Sequence, residues 1–321
     1  MSSDFPDELR GSWHRFLLTY EPLRPELYRY CRHLTRSPWD AEDLAQDAIA
    51  RAFVTLAQMG HEPPNPRAWL FRVASNLWID RRRHEQHAAR LEPPPGPEAP
   101  DPIATREAAG TLLTQLAPRE RAAVVLKDVF DFSLEETAEA LGTTTGAVKA
   151  ALHRGRGKLV EAEPAFAEPP APGAIEAFCA AFNEADLPRL TALLLDSASV
   201  EVVGATTLYG RERAGRNVLR GMLFGSPALA NGTGVESRFV CGALPVSPRV
   251  EARAHRGEWL LLHWYEHNDG SFVRAITRVV ADESGIVRLQ NYFFSPDFLA
   301  EVCAELAVPF RPNGYRWTLW R

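Results

Sequence analysis

The sequence predicts a multidomain chain: two all-α domains, the second a helix-turn-helix, followed by an α+β domain built on a curved antiparallel sheet. Three observations carry this. Two proline-rich stretches, LEPPPGPEAPDP (Leu91–Pro102) and AEPAFAEPPAPG (Ala162–Gly173), interrupt all helical periodicity and read as semi-rigid linkers. The blocks before and between them carry apolar residues at helical spacing. The block after them opens with a helical pair and then alternates apolar and polar residues as strands do. The resulting division is 8–90, a linker at 91–102, a second helical block at 103–162, a linker at 163–172 and the α+β block at 173–321. No internal repeat relates the blocks.

In the first block, WDAEDLAQDAIARAFVTLA (Trp39–Ala57) forms one helix with Leu44, Ala48, Ala52 and Phe53 facing inward. Asp40, Asp43 and Asp47 fall at i, i+3 and i+7, with Glu42 and Gln46 beside them, and no basic residue lies between 40 and 50. Taken alone, this acidic face reads first as a solvated surface whose early carboxylates favour the positive helix N-terminus. The loop GHEPPNP (Gly60–Pro66), with His61, leads into RAWLFRVASNLWIDRRRH (Arg67–His84), where Trp69, Leu70, Val73 and Leu77 form the expected buried stripe. Its outer row of Asn76, Asp80 and Arg83 ends in the Arg81–Arg82–Arg83 cluster. Such a basic row suits nucleic-acid backbone as well as it suits an ordinary helix end.

The second block is the most informative. Ser133 can cap a helix carrying Leu134, Thr137, Ala138 and Leu141, with Glu136 completing a capping box. Gly142 tolerates the positive φ needed where one helix stops and the next turns away. Thr143 or Thr144 can cap the second helix, whose Val148, Leu152 and Leu159 share one face. Thr145, Lys149, His153 and Arg156 share the opposite face. Residues 143–160 hold four Lys/Arg and no Asp/Glu, a local +4 on a chain of net charge −5. A basic helix after a tight turn points to DNA, since affinity comes from neutralised phosphates and specificity from donors offered to base edges.

Composition is ordinary for a soluble protein, with 45% hydrophobic and 24% charged residues. No apolar run reaches the roughly 18 residues needed to span a bilayer, and MSSDFPDELR lacks the apolar core of a secretion signal, so no membrane association and a cytoplasmic location are expected. The four cysteines (Cys31, Cys179, Cys241, Cys303) show no metal-ligand spacing, and no metal or cofactor is expected.

DAEDLAQDAIARAF, PRAWLFRVASNLWIDRRRH and the stretch Leu116–Leu159, in this order and over about residues 8–162, resemble regions 2 and 4 of sigma-70 family factors, specifically the extracytoplasmic-function (ECF) group. The resemblance implies a non-enzymatic initiation factor with two partners, core RNA polymerase and promoter DNA. It implies that Asp40, Glu42, Asp43, Gln46 and Asp47 dock on the β′ clamp helices, that the second domain meets the β flap, and that His61, Asn76, Asp80, Arg81, Arg82 and Arg83 face the −10 element. Thr144, Thr145, Lys149, His153, Arg154 and Arg156 then face the −35 element.

About 150 residues extend beyond this match. AIEAFCAAFNEADLPRLTALLLDSASVEVVG, then YGRERAGRNVLRGML and the strand candidates SVEVVG, GVESRFVCG, VEARAHR, EWLLLHWYEH, SFVRAITRVVAD and IVRLQNYFF resemble SnoaL-like domains, cone-shaped folds of the nuclear-transport-factor-two-like superfamily. The resemblance implies a regulatory role. NYFFSPDFLAEV (Asn291–Val302) resembles the Asn/Ser-Pro-Asp motif of such extensions. Related folds host acid–base enzymes, and Asp196, Glu201, Tyr209, His263, Tyr265 and His267 are available groups, although a packed interior with an ordinary buried histidine is the better reading. The aromatic tail FRPNGYRWTLW is expected to dock either on its own domain or, intramolecularly, on the helical domains. Two other readings remain at the level of sequence: a DNA-binding regulator that never engages polymerase, and a bifunctional regulator whose last domain binds or turns over a small ligand.

Overall fold

The computed structural model describes residues 15–59, 61–91, 116–156, 173–224, 249–282 and 284–315. They fall into two compact units, Met1–Ala165 and Phe166–Arg321.

Unit 1 is helical. Residues 15–20 and a 3-10 turn (Glu21–Leu23) lead into α1 (Arg24–Thr35), then α2 (Pro38–Met59) and α3 (Pro66–Leu91). Each start is locally encoded: Pro25 sits in the first turn of α1, the Ser37 hydroxyl accepts from the Asp40 amide (3.3 Å), and Asn65 Oδ1 accepts from the Ala68 amide (3.0 Å). Leu27, Tyr30 and Leu34 of α1 meet Leu44, Ala48 and Ile49 of α2 and Leu70, Phe71 and Ala74 of α3 in the core. Burial in this core pushes the Cys31 thiol well above its ordinary range.

The second helical part comprises α4 (Pro118–Val124), running into a π turn (Val125–Val129), then α5 (Leu134–Ala140) and α6 (Thr145–Arg156). It packs on α1 and α3 rather than standing apart. The Phe130 ring meets Tyr30 and Phe71 edge-on, Phe132 lies 5.2 Å from Phe71, and the Arg67 guanidinium sits 4.0 Å over the Phe132 ring while donating to the Phe130 carbonyl (3.2 Å). Arg121 donates to the Leu34 carbonyl (2.6 Å) beneath Trp78. This second partner shifts the buried arc of α3. Leu70 is buried as expected, but Trp69, Val73 and Leu77 are only half-buried, and Phe71, Ala74 and Trp78 take the inner positions.

Unit 2 is α+β. The helices α7 (Gly173–Asn183) and α8 (Leu187–Ala192) precede β1 (Leu194–Val202) and β2 (Thr206–Tyr209). Helix α9 follows in three pieces: Arg211–Ala214, a π segment Gly215–Leu219, and Arg220–Phe224. Then come β3 (Arg249–His255), β4 (Glu258–His267), β5 (Gly270–Asp282), β6 (Gly285–Asn291) and α10 (Pro296–Glu305). The six strands form one sheet in the order β2-β1-β6-β5-β4-β3. It differs from the expected all-antiparallel sheet in one pair: β1 runs parallel to β6, Val200 opposite Leu289. β1–β2 and β3–β6 are each linked antiparallel, neighbour to neighbour, and the chain passes from β2 to β3 by way of α9, which brings β6 beside β1 in the same direction. The expected strand GVESRFVCG lies outside the described residues, as do Trp317 and Trp320.

Both faces of the sheet are covered. Leu261, Val250, Val279 and Leu289 share a core with Phe178 and Phe182 of α7 and with Val218 and Leu219 of α9. Leu260, Leu262 and Ile276 are equally buried, as are Phe298 and Val302 of α10, and Tyr292 stacks on Phe298 at 4.2 Å. The described part of the tail, residues 310–315, docks on its own unit: Arg311 N–H donates to the Val273 carbonyl (3.0 Å), and the Tyr315 hydroxyl bonds Asp297 of the Ser-Pro-Asp stretch.

Candidate nucleic-acid interface

The geometry of the second helical part follows from its capping residues. Ser133 Oγ accepts from the Glu136 amide (3.0 Å) and Glu136 Oε2 accepts from the Ser133 amide (2.8 Å). These bonds to Ser133 hold the Glu136 carboxyl below its ordinary range. Gly142 then adopts φ +56°, the left-handed conformation that ends α5 before α6 begins. Of the two possible caps, Thr144 is the one used: its Oγ1 accepts from the Ala147 amide (3.2 Å). Val148, Ala151, Leu152 and Gly155 are buried, and a Cβ on Gly155 would lie 2.7 Å from Val124 Cγ2, so glycine is what lets α6 close on α4.

With that face buried, Lys149, His153 and Arg156 are exposed in line, with half-buried Thr145 at the head of the row. Thr144 is exposed, but its oxygen serves the cap. Arg154 lies to one side, its Nε bonded to Glu120 of α4 (2.6 Å), and Arg156 Nε reaches Asp128 (2.8 Å). Both arginines remain more than half exposed, but Glu120 is buried and the Asp128 side chain about a third exposed, so Arg156 is the freer of the two to exchange its carboxylate for a phosphate.

On α3, Asn76, Asp80 and Arg83 are exposed, while Arg81 and Arg82 are partly covered. Arg82 pairs with Glu85 (2.7 Å) and Arg83 lies 3.6 Å from Asp80. Arg81 pairs with Asp47 of α2, so the acidic and basic surfaces, separate in the sequence, meet along an edge. His61 is exposed, with Nδ1 3.0 Å from the Met59 carbonyl oxygen.

The acidic face needs a correction. Asp40 and Asp47 are exposed and Asp43 and Gln46 partly so, but Glu42 is fully buried in an ion pair with buried Arg24 and accepts from Gln46 (2.8 Å). Glu42 follows Ala41 onto the inner arc of α2, where Arg24 neutralises it. It is a core residue and not part of a docking surface. Sequence reading also missed Arg67, Phe130 and Arg121, whose partners lie 41 to 87 residues away and leave no local pattern.

In unit 2 the acid–base candidates do not converge. Asp196 is exposed and paired with Arg211, Glu201 bonds Gln290 (3.1 Å), and Tyr209 is exposed. His263 is buried beside Phe182, with Nε2 2.8 Å from Thr277 Oγ1, and burial lowers its pKa to about 3. A histidine held neutral by burial, with a hydroxyl as its partner, is packing chemistry; no carboxylate orients it among the described residues.

Comparison with known proteins fits this geometry. Residues 19–88 match the family model Sigma-70 region 2, and residues 106–159 match Sigma-70, region 4. The RNA polymerase sigma-E factor of Streptomyces coelicolor is 36% identical over 139 residues, 42% of this chain and 78% of that protein. The ECF RNA polymerase sigma factor SigM of Mycobacterium tuberculosis is 33% identical over 152 residues, 46% of this chain and 77% of that protein. This chain belongs to the ECF RNA polymerase sigma factors. A further ECF sigma factor, SigG of Mycobacterium tuberculosis, is 31% identical over 242 residues. That match takes in 63% of this chain, more than unit 1 alone contains, and the chain spans 64% of SigG's length. Among the described residues of this ECF chain, no helix is long and apolar enough to cross a membrane.

Proposed function

We propose that this chain recruits core RNA polymerase to promoters and reads two promoter elements, with unit 2 modulating its activity. The carrying observation is the capped helix-turn-helix that leaves Thr145, Lys149, His153 and Arg156 in one outward row of a chain with net charge −5. That row fits a major groove at the −35 element, with Thr144 and Arg154 at its margins. Lys149 and the arginines donate to phosphate or to guanine edges. The −10 element is met by His61, Asn76, Asp80 and Arg81–Arg83, where unstacking a base costs a few kcal/mol that pocket contacts offset. Asp40, Asp43, Gln46 and Asp47 form the face for the β′ clamp helices, and the helix-turn-helix domain meets the β flap. The phosphoryl chemistry belongs to the polymerase, and no residue of this chain takes a catalytic role. Unit 2, with helices packed against a mixed sheet, fits the SnoaL-like resemblance and the regulatory role it implies.

Run-off transcription with core polymerase tests this reading. The full chain should direct promoter-specific transcripts, Asp40→Lys/Asp47→Lys should lose polymerase binding, and Lys149→Ala should weaken promoter affinity and flatten its salt dependence. Promoter-specific output that is equal with and without the chain would overturn it.

A further inference from the structure

Unit 2 carries a basic surface that neither the sigma regions nor the fold requires. Helix α9 is amphipathic: Ala214, Val218, Leu219 and Leu223 are buried, and Arg213, Arg216, Asn217 and Arg220 are exposed. From Arg211 to Phe224 there are four arginines and one glutamate on a chain of net charge −5. Arg211 is committed to Asp196 (2.6 Å). Arg216 reaches Glu212 at 3.3 Å with both groups almost fully exposed, a weak pair. Among the described residues neither Arg213 nor Arg220 has an ion-pair partner.

The backbone holds this row in place. Gly215 opens the π segment pressed against Thr191, where a Cβ would lie 2.5 Å from Thr191 Oγ1, so the helix is clamped at its centre to α8. Asn217 Nδ2 donates to the Arg213 carbonyl (2.8 Å) and bridges the π segment to the turn before it. π segments inside helices recur at functional sites. Two residues before the helix in sequence, Tyr209 is 69% exposed at the end of the edge strand β2.

We infer that the Arg213–Arg216–Arg220 face of α9, flanked by Tyr209, is an additional DNA-backbone contact that grips promoter phosphates outside the −10 and −35 contacts. The inference rests on the promoter-reading function proposed above. From Arg213 to Arg220 the helix rises about 10 Å, close to the axial rise of three nucleotides at about 3.4 Å each. Guanidinium groups match phosphate oxygens in a bidentate fork. Aromatic rings interleaved with basic side chains suit nucleic-acid surfaces. Residues 157–172 tether unit 2 to the recognition helix, so once that helix engages DNA the arginine face meets the same duplex at high effective concentration.

The test uses holoenzyme assembled from the full chain and core polymerase, titrated against a promoter fragment across a salt series. Arg213→Ala/Arg216→Ala/Arg220→Ala should weaken binding at least tenfold at low salt. It should also reduce the slope of log affinity against log salt by about 2 to 3, at roughly 0.9 per lost phosphate contact. The triple Arg→Lys protein should restore the slope, which a purely structural role would not predict. A triple-alanine protein with the parental slope, alongside a Lys149→Ala protein with a reduced one, overturns this contact and leaves promoter reading intact. If Lys149→Ala keeps both the parental slope and the parental promoter affinity, promoter reading by the recognition-helix row fails as well. Loss of binding to phosphatidylserine vesicles with unchanged promoter affinity would assign the face to a membrane surface and likewise overturn the inference.

Discussion

Glu42 and Arg24 form an ion pair with both side chains fully buried, on the helix that otherwise presents the acidic face of unit 1. One of the carboxylates expected on the docking face is therefore part of the core.

Removing one partner of a buried ion pair strands the other charge, at a cost of about 3–5 kcal/mol. Glu42→Ala should lower the denaturation midpoint of unit 1 markedly. Asp47→Ala, at an exposed position, should stay within about 0.5 kcal/mol of the parent. Urea unfolding of both variants checks this, and equal midpoints would return Glu42 to the surface.

Phe130 fastens the helix-turn-helix part to α1 and α3 through its ring and carbonyl. Phe130→Ala should cost roughly 1–3 kcal/mol, below the 3–5 of a fully buried ring. Amides of α3 around Phe71 should exchange with solvent faster. Unchanged exchange would mean that Arg67 and Arg121 hold the interface alone.

The turn before the recognition helix depends on two residues. Ser133→Ala removes the reciprocal cap and should cost about 1 kcal/mol. Gly142→Ala forces an L side chain into φ +56°, with a strain of roughly 1–2 kcal/mol. Thermal unfolding reads both losses. Glycine at position 133 should recover much of the alanine loss, since glycine also serves as a cap.

Burial holds His263 at about pH 3, against an ordinary value near 6.5. Between those values the unfolded chain binds the proton and the folded chain does not, so stability rises with pH across this window. As pH falls below about 6.5, unit 2 should lose up to about 1.4 kcal/mol per pH unit from this group. His263→Gln should remove that component from denaturant curves taken at pH 4 to 7. An identical pH profile for the two proteins would show that the imidazole is accessible to protons when folded.

Much of the fold is written in local pattern. The capping box at Ser133 and the break at Gly142 each involve residues a few positions apart, and their energetics are complete within one helical turn. The outward row Thr145–Lys149–His153–Arg156 follows directly, because helical spacing fixes which side chains share a face once Val148 and Leu152 are buried.

What only tertiary structure decided are the relationships between distant residues. Helical spacing placed Glu42 beside Asp43 and Gln46, but Arg24, eighteen residues earlier, turned it into a core group. The helix-turn-helix part gave α3 a second packing surface and moved its buried arc to Phe71 and Trp78. The parallel pairing of β1 with β6 was likewise invisible in the sequence, which also left open the surface on which Arg311 and Tyr315 dock. The physical reason is common to all of them: periodicity records which faces of an element are apolar, whereas the identity of the partner is settled only when those faces close together.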